Sequence, residues 1–446
     1  MLAALAAVLA LLPGAVAAST VTSAVSRGAA VRWTPDDYIR AALQLSPDAI
    51  SAEASLDAAG ARARSRWARA FAPSLDFSAK VSPAKFAPVS RFTFDTWRVN
   101  ANDVLLTPGL SWNLFNSFQD LLGARSTELS RESAGESLYA ARQSQALSAL
   151  RAYWGYYLRE KLLAVGVQNL KVQRAQYDLT LDRYRHGMKS LSDLLKTEVD
   201  WRSSELRLET DAASNRLARF GFNILVGADE GAPVELAADL SLGTTVPPLL
   251  EEGLRAAMVQ RPEMRRNKLQ VRQAELAYTL AKIAAGPTAS LDFAAAHAWT
   301  GDFGARAQPF GAGTSIYGLT LSLSLPGSFN LYSQYNDVRA SEADLRVART
   351  STEAQRRSLR QEVYQAHISL TRALRSLEIS GRKEEISRQN LELVSEEYSQ
   401  GSADVIRLSQ AQTDYVSAQA ERLQALHDAK IDAAGWELAI GEPIWR

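Results

Sequence analysis

The sequence predicts a mixed membrane fold: a long α-helical coiled-coil barrel joined to a transmembrane β-barrel that only oligomerisation can complete. Three observations predict it. The chain of 446 residues says nearly the same thing twice, since Tyr184-Arg-His-Gly187 returns as Tyr398-Ser-Gln-Gly401 at one gapless offset of 214 positions that runs from Glu128/Glu342 to Gly227/Gly441. Each copy carries two short segments of alternating apolar and polar residues. Each copy also carries a stretch of nearly 70 residues without proline and with little glycine. A repeat of that length is a whole architectural half, not a solenoid unit.

At the N-terminus, Met1 to Ala18 is rich in Leu and Ala, is broken by Pro13-Gly14 and ends in the small residues Ala15-Val16-Ala17. This is read as a signal peptide, although no Lys or Arg precedes its apolar part. After residue 20 no run of about 18 apolar residues follows, so any crossing of a membrane falls to strands.

The first repeat, 33–227, opens on a helix signalled by Thr34-Pro35-Asp36-Asp37: a capping hydroxyl, proline in the first turn, and carboxylates against the helix dipole. Pro247-Pro248 with Glu251-Glu252 repeats the device at the head of the second repeat, 248–441. These carboxylate pairs are start signals rather than catalytic groups. Strands follow at about 73–82 and 104–115, and again at about 289–299 and 315–325. In the first, Leu75, Phe77, Ala79 and Val81 alternate with Ser74, Asp76, Ser78 and Lys80; in the last, Tyr317, Leu319, Leu321, Leu323 and Leu325 alternate with Gly318, Thr320, Ser322 and Ser324. Each is close to the length a tilted strand needs to cross a bilayer, with one face for lipid and one for a lumen, and the same alternation fits a soluble antiparallel sheet with one wet face. Trp97, Trp112, Trp299 and Tyr317 stand near strand ends, where an aromatic girdle belongs, and 82–94 and 301–313 read as loops. Four strands cannot close a barrel, and an open edge in lipid leaves backbone groups unpaired at several kcal/mol each, so spanning strands require copies of the chain to assemble.

The long stretches after each strand pair would be helices of about 100 Å. Each ends at a glycine tip and returns as a second helix closed by Gly227 or Gly441. Thin seams at three- and four-residue spacing run along the returning helices: Ala213, Leu217, Phe220 and Ile224, and Val416, Ala420, Leu423, His427, Ile431, Ala434 and Leu438. Residues 228–247 lack any period and read as a connector near the equator.

Composition excludes several functions. Net charge is +1 with 22% charged residues, which offers no basic face to nucleic acid. There is no cysteine, so no disulfide or thiolate metal site, and the four histidines are scattered. No catalytic motif occurs, no cofactor is expected, and the chain does not read as an enzyme.

This order of helix, strand pair, long helix, Tyr-x-x-Gly tip and helix ending in Gly, given twice, resembles the TolC-like outer membrane efflux proteins from Trp33 to Gly441. Arg261-Pro262-Glu263 resembles the second copy's opening. The resemblance implies a homotrimer with a 12-stranded barrel in the outer membrane of a Gram-negative bacterium, reaching across the periplasm as a passive exit duct for efflux or type I secretion. It implies two further partners, a periplasmic adaptor and an inner-membrane pump driven by protons or of the ABC type. It assigns adaptor docking to Tyr184, His186, Gly187 and Met188, and to Tyr398, Gln400, Gly401 and Ser402. Where the best-known member narrows its entrance with aspartates six and nine residues after the second tip glycine, this chain has Arg407 and Gln410. That leaves Asp193 and Asp404 as acidic candidates at the mouth, and three copies of a lumen-facing Arg407 would make a cationic ring. The alternative reading is a soluble periplasmic coiled-coil scaffold, in which the strands form a small water-exposed sheet.

Overall fold

A computed structural model describes residues 31–81, 104–237, 249–299, 314–325 and 330–445. The leader 1–18, Trp97, both expected loops and residues 238–247 of the connector lie outside the described residues.

Each repeat opens on two helices rather than one. α1 (Pro35–Leu45) and α2 (Pro47–Phe71) meet at Ser46-Pro47, and α5 (Leu250–Gln260) and α6 (Pro262–Ile283) meet at Arg261-Pro262. The cause is proline, which removes an N–H donor and clashes with the preceding turn, so it ends one helix and starts the next. Thr34 caps α1 as expected, its hydroxyl accepting from the Asp37 N–H at 3.2 Å. In the second repeat α5 begins after Leu249 with no side-chain cap, and Glu251 and Glu252 stand in its first turn, while Pro247-Pro248 lie outside the described residues.

The strands are β2 (Ser74–Val81), β3 (Val104–Asn116), β5 (Thr288–Trp299) and β6 (Thr314–Ser324), paired antiparallel in the order β2-β3-β5-β6. Their register turns each strand's alternation into a property of the whole sheet. Leu75, Leu110, Phe293 and Leu319 are mutual partners in one row, followed by Trp112, Leu291 and Leu321. The row between them on the opposite face is Ser74, Ser111, Asp292 and Thr320. There the Asp292 carboxylate accepts from the Ser111 hydroxyl at 2.6 Å and from the Ser290 hydroxyl at 2.9 Å. The apolar face has no cover among the described residues: Leu75 is 79% exposed and Leu319 is 69% exposed. The outer edges of β2 and β6 have no partner among the described residues. Trp112 donates its indole N–H to the Phe71 carbonyl at 3.1 Å, tying the base of the sheet to the end of α2.

A second sheet was not legible in the sequence: β1 (Val31–Trp33) lies parallel to β4 (Val234–Leu236) and joins the segment before α1 to the connector. Beside it Tyr38 stacks on Phe222 at 4.1 Å and donates to the Phe222 carbonyl at 2.9 Å, while Tyr153 donates to the Trp33 carbonyl at 3.0 Å. This aromatic core, which also buries Trp154 and Tyr157, clamps the waist of the protomer.

Beyond the sheet run α3 (Gln119–Arg185, 67 residues) and α7 (Asn330–Ser399, 70 residues), returning as α4 (Leu191–Leu225) and α8 (Val405–Ile440). None of the described helices is long and apolar enough to cross a membrane. On the tip side the packing order is α4-α3-α8-α7, so α4 and α7 are the edge helices. Alanines 411, 418, 425 and 429 make the buried seam of α8, which lets the backbones approach closely. The seam expected along α8 is only half-buried, apart from the buried Ala434, and the one expected along α4 faces outward, with Leu217 and Ile224 exposed. That apolar stripe belongs to a surface with no partner among the described residues.

Candidate functional site

The two tips share one backbone. After α3, the Gly187 N–H donates to the Tyr184 carbonyl at 2.9 Å and the Met188 N–H to the Arg183 carbonyl at 2.8 Å. After α7, Gly401 and Ser402 make the same two bonds to Tyr398 and Glu397, at 3.2 and 2.9 Å. Both are Schellman closures, which need a residue in the left-handed region at the glycine position; φ is +75° at Gly187 and +81° at Gly401. A Cβ at either glycine would meet nothing within 4 Å, so the requirement is conformational rather than steric.

Helix starts consume both acidic residues expected at the mouth. Ser190 and Asp193 form a reciprocal capping box at the head of α4, with bonds of 3.1 and 3.3 Å. Asp404, the position equivalent to Ser190, caps α8 by accepting from the Arg407 N–H at 2.8 Å. Arg407 is exposed and ion-paired to Glu397 at 2.9 Å, so its charge is compensated within the protomer. Within one chain the expected Arg407 cation therefore stands beside a carboxylate of α7. Gln410, one turn further on, is exposed and donates to Asp414 at 2.8 Å.

Equivalent tip residues have different fates. Tyr184 is exposed, whereas Tyr398 is 5% exposed within a cluster of Val394, Val405, Leu408 and Ala411. Its ring carries two cations from the other tip, the Arg183 guanidinium at 5.5 Å and the Lys189 ammonium at 5.2 Å. Tyr398 thus joins the two hairpins and offers no surface of its own for docking. Met188 is 66% exposed; His186, Gln400 and Ser402 are also exposed. His186 bonds through Nδ1 to the Asp182 carbonyl oxygen at 2.8 Å, Gln400 donates to Glu396 at 3.3 Å, and Ser402 donates to the Glu397 carbonyl at 2.9 Å.

Sequence reasoning missed the polar ties between hairpins. Lys196 bonds Asp200 and reaches Ser409 at 3.3 Å, and Ser409 donates to Asp200 at 2.7 Å. Higher up, the buried Gln173 donates to Gln412 at 3.2 Å. Within the second hairpin the apolar cluster around Tyr398 is joined by ion pairs, Lys383 with Glu421 at 2.6 Å and Arg407 with Glu397 at 2.9 Å. No linear signal marks the ties between hairpins, since their members are more than 200 positions apart in the chain.

Among the described residues there is no cluster of acidic or histidine side chains able to hold a metal ion. What the arrangement offers is a surface: an exposed apolar sheet face at one end, two solvent-facing turns at the other, and helices of about 100 Å between them.

The profile of the family described as "Outer membrane efflux protein" matches residues 38–219 and 253–442, both repeats. No curated protein matches the sequence significantly. Among solved structures the fold is similar to the CmeC outer membrane channel of Campylobacter jejuni, with TM-score 0.76 at 15% identity over 91% of this chain and 85% of that one. It is similar to VceC of Vibrio cholerae, with TM-score 0.71 at 18% identity over 92% and 96%. It is also similar to the open state of the MtrE outer membrane channel of Neisseria gonorrhoeae, with TM-score 0.71 at 16% identity over 92% and 90%. The scaffold alternative falls with these matches, and this chain belongs to the outer membrane efflux protein family, as a passive channel component of the Gram-negative outer membrane and not an enzyme.

Proposed function

We propose that three copies of this chain close one conduit, each β6 edge pairing with the β2 edge of the next copy so that four strands per chain make a 12-stranded barrel. The observation that carries this reading is the sheet with one exposed apolar face and two free edges. In lipid, the apolar row from Leu75 to Leu319 is solvated by acyl chains, but free edges leave unpaired N–H and C=O groups that only another strand can satisfy. The edge helices support the same assembly. Val199 and Leu206 on α4, and Ile379, Ile386 and Leu393 on α7, repeat at heptad spacing and are exposed in the single chain. Neighbouring copies would bury one stripe against the other.

In this reading the helices form a tunnel across the periplasm and the polar sheet face with Asp292 lines the lumen. The tips at Gly187 and Gly401 receive a periplasmic adaptor, and an inner-membrane pump, proton-driven or of the ABC type, supplies the energy. Tyr184, His186 and Met188 form the first docking turn; Gln400 and Ser402 form the second, supported from beneath by Tyr398. The cargo is a small molecule or a secreted protein, since both use the same kind of duct. Planar-bilayer recording of the detergent-extracted protein tests the conduit: long-lived, uniform conductance steps are expected, and a well-folded preparation that never conducts refutes it.

A further inference from the structure

The two tips are the same turn carrying different charges, the first with an excess of cations and the second with an excess of carboxylates. At the shared offset Arg183 corresponds to Glu397, Lys189 to Ala403, Asp193 to Arg407 and Met188 to Ser402, whereas Asp182 corresponds to Glu396, so that position is acidic in both turns. Internal partners remove some of these groups. Arg183 and Lys189 lie over the Tyr398 ring, Asp193 and Asp404 cap helices, and Glu397 holds Arg407. What faces outward is then different at each turn. The first presents Arg185, which has no ionic partner among the described residues, beside the exposed thioether of Met188, while its exposed Asp182, the counterpart of Glu396, lies 3.7 Å from the His186 ring. The second presents the exposed Glu396, bonded only to Gln400, beside Ser399 and Ser402, with no large apolar group at the turn.

We propose that the Arg185–Met188 turn recognises a partner surface carrying a carboxylate beside an apolar socket, and that the Glu396–Ser402 turn recognises one carrying a lysine or arginine. This rests on the trimeric docking reading above and names the partner's chemistry at that site. The consequence is a fixed register. Around a trimer the six tips are nearly alike in backbone, so a ring of helical hairpins could seat in two positions 60° apart with equal geometric fit. Charge alternating in sign around the ring makes one seating complementary and the other repulsive, and like-charge contact is an effective means of rejecting a wrong arrangement.

The test is photo-crosslinking in the producing cell, with p-benzoylphenylalanine at Met188 or Ser402 and the attached peptides sequenced by mass spectrometry. Arg185→Glu, Arg185→Lys and Glu396→Arg are added to each, and trimer assembly is checked on every variant. The proposal expects one periplasmic protein at both sites, an acidic segment attached at Met188 and a basic one at Ser402. Arg185→Glu should lower the Met188 yield about fivefold while Arg185→Lys retains it, and Glu396→Arg should do the same at Ser402. Attachment of one common segment at both sites, or yields indifferent to charge reversal, overturns the charge code and leaves tip docking standing. Assembled trimers that attach no periplasmic protein at either site overturn docking itself, and the charge code with it.

Discussion

Leu319 is the sixth of the 11 residues of β6, so if the sheet spans a bilayer this side chain sits near the midplane. An arginine on the lipid face at that depth costs about 2–4 kcal/mol per chain, or roughly 6–12 kcal/mol for three copies, enough to prevent insertion. Were the face wet instead, Leu319 at 69% exposure would be an ordinary surface site and the change would fall within about 0.5 kcal/mol. Depth and facing supply two internal controls. Leu325, just beyond β6, is on the same face near the boundary, where the cost drops to about 0–1 kcal/mol. Thr320 is on the opposite face and pairs in register with Asp292, so an arginine there meets a carboxylate. The assay is the yield of heat-modifiable oligomer in the outer membrane, followed by urea unfolding in lipid vesicles. Leu319→Arg should abolish the oligomer, Leu325→Arg should reduce it slightly and Thr320→Arg should leave it nearly intact. Equal tolerance of all three, or greater damage from Thr320→Arg, would refute the facing of the sheet.

Three further outcomes follow from the geometry. Gly187→Ala should cost about 1–2 kcal/mol, the left-handed penalty alone, whereas Gly441→Ala should cost more because its Cβ would stand 2.9 Å from the backbone between Gln260 and Arg261; thermal unfolding of the two variants gives the order. Glu397→Gln should release the Arg407 charge and shift the channel's reversal potential toward anions, and an unchanged potential would remove this pair from the conduction path. Burial, and then the neighbouring Asp428, hold the Asp432 carboxyl above its ordinary value, against the opposing pull of Arg372, Arg151 and His427. The folded chain therefore binds this proton more tightly than the unfolded chain, and ionisation weakens the fold as pH rises through the folded value. Asp432→Asn should stabilise the protein at neutral pH, and the gain should vanish below about pH 3.8, where the unfolded carboxyl is also protonated.

The periodic parts of this fold were readable in the chain. Strand faces and bounds followed from alternation because one register, Leu75 through Leu319, satisfies all four strands at once. Both tips followed from glycine, since few residues tolerate the φ that the Schellman closure demands. What lay hidden depends on neighbours remote in sequence. Tyr184 and Tyr398 occupy equivalent positions, yet only the second is covered, by the apolar cluster of its own hairpin and by Arg183 and Lys189 crossing from the other. Asp193 and Asp404 looked like a mouth, but each sits at a helix start where a carboxylate first satisfies backbone N–H groups. Ser117 and Phe118 adopt positive φ, 55° and 65°, at the joint between β3 and α3, with nothing in their side chains to announce it. The Ser117 hydroxyl bonds the Pro287 carbonyl at 2.7 Å and so stitches the first repeat's joint to the second's. The parallel pairing of Val31–Trp33 with Val234–Leu236 was equally silent, since three residues carry no period.

Native mass spectrometry of the particle extracted from the outer membrane in mild detergent most directly tests the claim that this chain seals its own open sheet. Three copies per particle, with the free edges of β2 and β6 protected from amide hydrogen exchange, is the predicted result. A stable single chain, or a particle in which those edge amides exchange as freely as loop amides, would contradict it.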